Sequence, residues 1–269
     1  MFFDSHVHSC HSHDSVQTLA EICASAREQG LKGVAITDHA DVWFWEKDQL
    51  KARIAASTAD ARAADGKDGV RVLTGVELAG ALHDVESARE LLALTDYDIV
   101  LGSVHGTCFE DWSYAYSRID FGSAPAEKLH GFLSAYFRDT ADLAAQGDFD
   151  ALAHLTCPLR YINGKYRRGV SLEPYLDTID GIFRSLIHRE KALEVNTSGL
   201  GGAYGLLMPD EALLRRYYAL GGRLVTLGSD GHVPERVGKG LREAASTLQA
   251  MGFPGYCYYE QRQRRFIPW

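Results

Sequence analysis

Histidines and carboxylates recur in this sequence where short apolar runs end. Asp4-Ser5-His6-Val7-His8 follows the apolar start Met1–Phe3. In an extended chain, residues two apart project to the same face, so His6 and His8 can meet one metal ion. Further apolar runs finish in Thr37-Asp38-His39, Gly75-Val76-Glu77, Gly102-Ser103-Val104-His105, Ala153-His154 and Gly228-Ser229-Asp230-Gly231-His232. Each has an ordinary explanation when taken singly: a surface His-x-His, a turn at Asp-Gly-His, an exposed strand-end charge at Glu77. Their joint occurrence does not, because unpaired charge at a buried strand end is costly. Imidazole combined with carboxylate suits zinc, manganese or iron. Cys10, Cys23, Cys108, Cys157 and Cys257 are too scattered for a thiolate site.

The elements that must position these groups alternate between two periods. Seven runs are predicted as strands: Met1–Phe3 leading into Asp4–His8, Gly33–Thr37, Val70–Val76, Ile99–Val104, Ala151–Leu155, Ala192–Val195 and Arg223–Leu227. Their Val, Ile and Leu content is that of strands buried on both faces. Between them the pattern predicts helices over Thr18–Gln29, Glu46–Ala64, Pro125–Gln146, Leu172–Arg189, Asp210–Leu220 and Gly240–Met251. Thr18 and Glu21 have capping-box spacing, and Gly30 stands where a helix would stop. Repeated βα units without a linker predict a single α/β domain over residues 1–269, a barrel with its chemistry at the C-terminal ends of the strands. Six of the seven predicted strands end in a candidate ligand. The segments 106–123 and 156–170, polar and aromatic, are expected to be functional loops.

Composition narrows the function. The chain has 269 residues, 28 basic and 36 acidic, for a formal charge of −8, the wrong bias for a nucleic-acid surface. An odd number of spread cysteines without a CxxC pair argues against a disulfide framework and for a reducing compartment. The N-terminus lacks the pattern of a signal peptide, and no run is long and apolar enough to span a membrane. A cytoplasmic protein acting on a small molecule is expected.

In order along the chain, the motifs Asp4-Ser5-His6-Val7-His8, Thr37-Asp38-His39, Gly75-Val76-Glu77, Gly102-Ser103-Val104-His105, Ala153-His154, Glu194-Val195-Asn196-Thr197-Ser198 and Gly228–His232 resemble the polymerase-and-histidinol-phosphatase (PHP) superfamily. Within it the chain is most similar to the bacterial histidinol-phosphatases. The resemblance implies a distorted (βα)7 TIM-like barrel with three metal ions. His6, His8, Glu77 and Asp230 would hold one, and Glu77 would bridge to a second shared with His105 and His154. His39 and His232 would hold a third, with Asp14 as the better partner and His13 as runner-up, while His11 would stand outside the ligand set. Glu77, Asp230 and His232 would take part in catalysis, the hydrolysis of L-histidinol phosphate by a metal-bridging hydroxide. Clustered cations suit this reaction because they acidify water and clamp phosphoryl oxygens.

Arg160 can offer a bidentate fork to phosphate, and Asn196 and Ser198 end the one strand left for substrate rather than metal. Lys165-Tyr166-Arg167-Arg168 and Arg118 are further candidate contacts, each with a plain alternative as solvated surface. Trp43-Phe44-Trp45 is a candidate for the pocket wall or for core packing. One departure from the family pattern falls after Ser198-Gly199-Leu200, where an arginine is expected and residues 201–205 carry none. A nucleotide-directed phosphoesterase and a non-catalytic metal-binding barrel are the competing readings.

Overall fold

The buried Val, Ile and Leu runs pair side by side in parallel, as strands covered on both faces must. The computed structural model describes residues 2–43, 46–67, 69–112 and 115–269. Its elements are β1 (Phe3–Val7), α1 (Leu19–Glu28), β2 (Gly33–Ile36), β3 (His39–Asp41), α2 (Lys47–Ala64), β4 (Arg71–Ala79), α3 (Val85–Leu92) and β5 (Ile99–Ser103). There follow α4 (Ala126–Gln146), β6 (Ala151–Leu152), the single turn α5 (Cys157–Leu159), α6 (Leu176–His188), β7 (Ala192–Asn196), α7 (Glu211–Ala219), β8 (Val225–Gly228) and α8 (Leu241–Ala250). A hairpin, β9 (Gly255–Glu260) and β10 (Gln263–Pro268), completes the chain.

The parallel order is β1-β2-β4-β5-β6-β7-β8, with β3 also on β4. Ile36 pairs with Thr74 and His39 with Glu77, the same offset, so β3 continues β2 after a two-residue break. The strands therefore form a nearly closed barrel of seven, as expected. Its two ends meet at the mouth, where Val7 bridges Gly231, His8 N–H donates to the Gly231 carbonyl at 3.0 Å and Asp230 N–H to that of His6 at 2.8 Å.

Local chemistry explains most boundaries. Thr18 and Glu21 form the capping box at α1, and Gly30 turns the chain with φ +67°. The fifth strand is shorter than expected and stops at Leu152, because His154 takes φ +21° and leaves extended geometry. Helix α3 has no counterpart among the predicted elements, although Asp84 caps it by accepting from Ser87 N–H at 2.9 Å. The hairpin was equally silent. Its turn residues Gln261 and Arg262 have φ of +52° and +57°, conformations usually marked by Asn or Gly.

Candidate metal centre and substrate cavity

Strand ends deliver the predicted ligands to one buried cluster at the barrel mouth. His6 and His8 project to the same side, with their Nε2 atoms 2.9 Å apart. Asp230 Oδ1 lies 3.8 and 3.3 Å from these two atoms, and Glu77 Oε2 lies 3.5 and 3.6 Å away. The other Glu77 oxygen, Oε1, stands 2.9 Å from His105 Nε2 and 2.6 Å from His154 Nε2. One carboxylate thus faces two groups of imidazoles. A third group comprises His39 Nε2, His232 Nε2 and Asp14 Oδ1, with separations of 3.4, 3.5 and 3.3 Å. A tetrahedral ion with bonds of about 2.0–2.1 Å spaces its ligands by about 3.3–3.4 Å, so these atoms fit the corners of such a site.

The outer nitrogens are tied down. His6 Nδ1 lies 2.6 Å from Glu194 and His105 Nδ1 2.6 Å from Asp41, carboxylates that can only accept. Ser12 Oγ donates to Asp38 at 2.7 Å and so receives the Nδ1–H of His8 at 2.9 Å. His232 Nδ1 donates to the Asp230 carbonyl at 2.9 Å. In each ring the proton is drawn to Nδ1 and the Nε2 lone pair is aimed at the cluster, the arrangement that outer partners impose on metal-binding histidines. The Nε2 atoms of His6 and His8 meet at 2.9 Å, a contact that needs either a proton or a metal ion between them.

Other buried atoms lack hydrogen-bond partners. Glu77 Oε2 and His39 Nδ1 are 2.8 Å apart yet off line for a hydrogen bond, and His154 Nδ1 has no acceptor. Burial alone would raise the Glu77 pKa, but His105, His6, His39 and His154 around it hold that carboxyl well below the usual range. Burial would likewise disfavour charge on His6. The carboxylates of Glu194, Glu77 and Asp230 outweigh it and raise that imidazole well above its ordinary value. His8, buried beside His232 and His39, is lowered well below. Bound cations would take the place of the protons that these buried carboxylates hold on the imidazoles.

His154 and Asp230 also adopt positive φ, +21° and +53°, a conformation that costs a non-glycine residue about 1–3 kcal/mol. Hydrogen bonds hold both: His154 N–H donates to Glu194 Oε2 at 2.7 Å, and Asp230 N–H donates to His6. Strain retained under such restraint is typical of functional positions.

The cluster floors a cavity of about 560 Å³. Arg160 enters its wall from a π-helical turn, Arg160–Lys165. Its guanidinium donates to Ser198 Oγ at 2.9 Å and Tyr161 Oη at 3.1 Å, and lies 3.8 Å from Asp230 Oδ2. Asn196 and Ser198 stand behind the wall instead of in it. Ser198 bonds to Asn196 Oδ1 and Asp230 Oδ2, while Asn196 donates to Glu194 at 3.2 Å, so the pair braces the cluster.

The remaining candidates separate clearly. His11 turns to Asp60 at 2.8 Å. His13 lines the cavity, its ring 5.2 Å from that of His39. Arg168 donates to the carbonyls of Phe121, Gly122 and Ala124, and Lys165 lies over Tyr166, so these residues of the basic run brace loops. Trp43 stacks on His83 at 4.4 Å, while Phe44 and Trp45 lie outside the described residues.

Sequence reasoning passed over Asp41, Asp38 and the bracing role of Glu194. Asp41 carried a usable signal, since it stands two residues beyond His39 and thus on the same face. Glu194 had the same relation to Asn196.

A family model described as the PHP domain matches residues 4–198. The chain belongs to the PHP domain family. It is 26% identical to a probable histidinol-phosphatase of Thermotoga maritima, over 93% of this chain and 92% of the relative. It is 29% identical to a probable histidinol-phosphatase of Clostridium acetobutylicum, over 91% of each. Among solved structures it resembles the histidinol phosphate phosphatase of Lactococcus lactis complexed with zinc, L-histidinol and phosphate. The TM-score is 0.78 at 22% identity, with 98% of each chain covered. That likeness extends the shared barrel beyond the family match to the C-terminal part of the chain.

Proposed function

We propose that this PHP protein is a metal-dependent phosphomonoesterase that hydrolyses L-histidinol phosphate to L-histidinol and phosphate. The observation that carries the reading is the pair His6 and His8, whose Nε2 atoms meet at 2.9 Å among buried carboxylates. Full-length likeness to histidinol-phosphatases supports the substrate. Three ions are proposed, zinc, manganese or iron. His6, His8, Glu77 and Asp230 hold the first, Glu77, His105 and His154 the second, and Asp14, His39 and His232 the third. When bound, such ions supply Lewis acidity toward the phosphoryl group and lower the pKa of coordinated water.

The chain's own residues supply the rest. Glu194, Asp41 and Ser12 keep the imidazoles oriented, so little reorganisation accompanies substrate binding. Arg160, pinned by Ser198 and Tyr161, presents a planar cation to the phosphoryl oxygens. Asn196 and Ser198 act through Arg160 and Asp230 and so serve as positioning residues. Glu77, Asp230 and His232 contribute to catalysis as ligands at the reacting centre. The proposed unit is the whole barrel, residues 1–269, working on a small molecule in the cytoplasm without a nucleic-acid or membrane partner. No described helix is long and apolar enough to cross a membrane.

The test is phosphate release by metal-reconstituted protein offered histidinol phosphate, nucleotide monophosphates and nucleotide bisphosphates. Preference for histidinol phosphate with loss on chelation is expected. Faster release from a nucleotide would overturn the substrate, and full activity in His6→Ala/His8→Ala despite loss of metal would overturn the site.

A further inference from the structure

Besides the histidine-carboxylate cluster, the cavity is lined by Tyr116, Ser117, Arg118, Arg160 and Tyr161. Its two arginines are committed differently. Arg160 is held by Ser198 and Tyr161 beside Asp230. The Arg118 side chain, exposed in the wall, makes no hydrogen bond, ion pair or ring contact with any described residue. Other cations near the mouth are spent on backbone carbonyls: Arg168 on the 121–124 segment, and Arg236 on Gly201 at 3.0 Å.

Arg118 is nevertheless not a loose surface residue. It ends a 3-10 turn, Tyr116–Arg118, that is attached directly to the strand end bearing His105. Tyr116 N–H donates to the His105 carbonyl at 2.9 Å, and Ala115 bridges Gly106. Arg118 N–H donates to Ala115 at 2.9 Å and Ile119 N–H to Tyr116 at 3.1 Å. Tyr116 and Ile119 are buried on either side, leaving Ser117 and Arg118 exposed in the cavity wall. The backbone is preorganised and the guanidinium is uncompensated.

We propose that Arg118 is a second phosphoryl-binding residue. It contacts the face of the phosphate dianion turned away from the cluster, alongside Arg160, and sets affinity both for phosphate esters and for inorganic phosphate. The proposal rests on the phosphoesterase reading but not on the identity of the alcohol. A planar guanidinium matches two phosphate oxygens, which lysine meets only as a point charge.

The experiment compares metal-loaded wild type, Arg118→Ala and Arg118→Lys. Inorganic phosphate binding is measured by calorimetry, and steady-state hydrolysis is followed with p-nitrophenyl phosphate and histidinol phosphate. Arg118→Ala is expected to weaken phosphate binding and raise KM by about 10- to 100-fold, with kcat little changed and metal content equal to wild type. Arg118→Lys recovers part of the loss. Unchanged phosphate affinity in Arg118→Ala overturns the proposal, whether KM is also unchanged or rises for one ester only, which would place Arg118 on the leaving group. A loss that vanishes in about 0.5 M salt also overturns it, because long-range attraction is screened there and a direct contact persists. Arg118-dependent phosphate binding without histidinol phosphate turnover would reject the substrate and keep this contact.

Discussion

The two ends of the barrel treat charge in opposite ways. At the mouth, Glu77 Oε2, His39 Nδ1 and His154 Nδ1 are buried without a hydrogen bond. At the bottom, the C-terminal hairpin covers the strand starts with paired groups. Arg262 reaches Asp150 at 3.0 Å and Asp148 at 2.8 Å, and Arg71 reaches Glu260 at 2.8 Å. Phe3 stacks on Tyr258 with ring centres 4.0 Å apart. Both ends also contain residues at positive φ: His154 and Asp230 above, Gln261 and Arg262 below. Below, Asp98 accepts from both backbone N–H groups of the turn at 2.9 Å, so the protein satisfies the turn by itself. Above, the orientation is equally firm but the central atoms are left for something the chain does not contain. Orphaned polar atoms mark the working end, and saturated ones mark the closing end.

Removing the missing component should break this comparison most visibly. Chelation is expected to abolish phosphate release and to lower the melting temperature, because ions bound only by the folded state stabilise it by mass action. A calorimetric scan with and without chelator, alongside a phosphate assay, checks both. Glu77→Gln is expected to cost about 10³-fold or more in kcat/KM, because one carboxylate faces two imidazole groups. Retention of full activity and full metal content would remove Glu77 from the centre.

Substitution of the outer partners tests the orientation argument at smaller amplitude. Glu194→Gln and Asp41→Asn should each lower metal affinity or activity by about 10- to 100-fold. Metal titration distinguishes this from general loss of fold. At the bottom, Arg262→Ala leaves Asp150 buried without its cation. It is expected to cost about 1–3 kcal/mol of stability in denaturant unfolding, with kcat/KM unchanged. Arg262 hydrogen-bonds the Asp148 carboxylate and holds its pKa below the usual value. A depressed carboxylate stabilises the fold above its unfolded pKa, and that contribution is lost as pH falls through the folded value. The gap between wild type and Arg262→Ala should therefore narrow below about pH 4. The smallest effect expected is from Gln261→Asn, a gain of up to about 1 kcal/mol, since asparagine accepts the left-handed conformation more readily.

Legibility in the sequence followed the range of the interactions. The barrel strands were readable because burial on both faces leaves apolar runs, and strand-end histidines stand out against them. Helix α3 escaped because it is short, and the hairpin escaped because Gln261-Arg262 is an unusual pair for its turn. Tertiary contacts with Asp98, Asp148 and Asp150 make that turn acceptable. Asp41 and Glu194 escaped for a related reason: a carboxylate near a histidine in sequence does not announce which histidine it will serve. Asp41 serves His105, 64 positions away, and Glu194 serves His6, 188 positions away.

The sequence by itself determined the number of barrel strands, the donor types at their ends and the family to which the chain belongs. Those features depend on hydrophobic period and residue identity, which are local. Tertiary structure alone decided which nitrogen of His6, His8, His105 and His232 faces the cluster. It also placed Asn196 and Ser198 behind the wall while leaving Arg118 uncommitted in it. These are matters of partnership between distant strand ends, and they exist only once the barrel has closed.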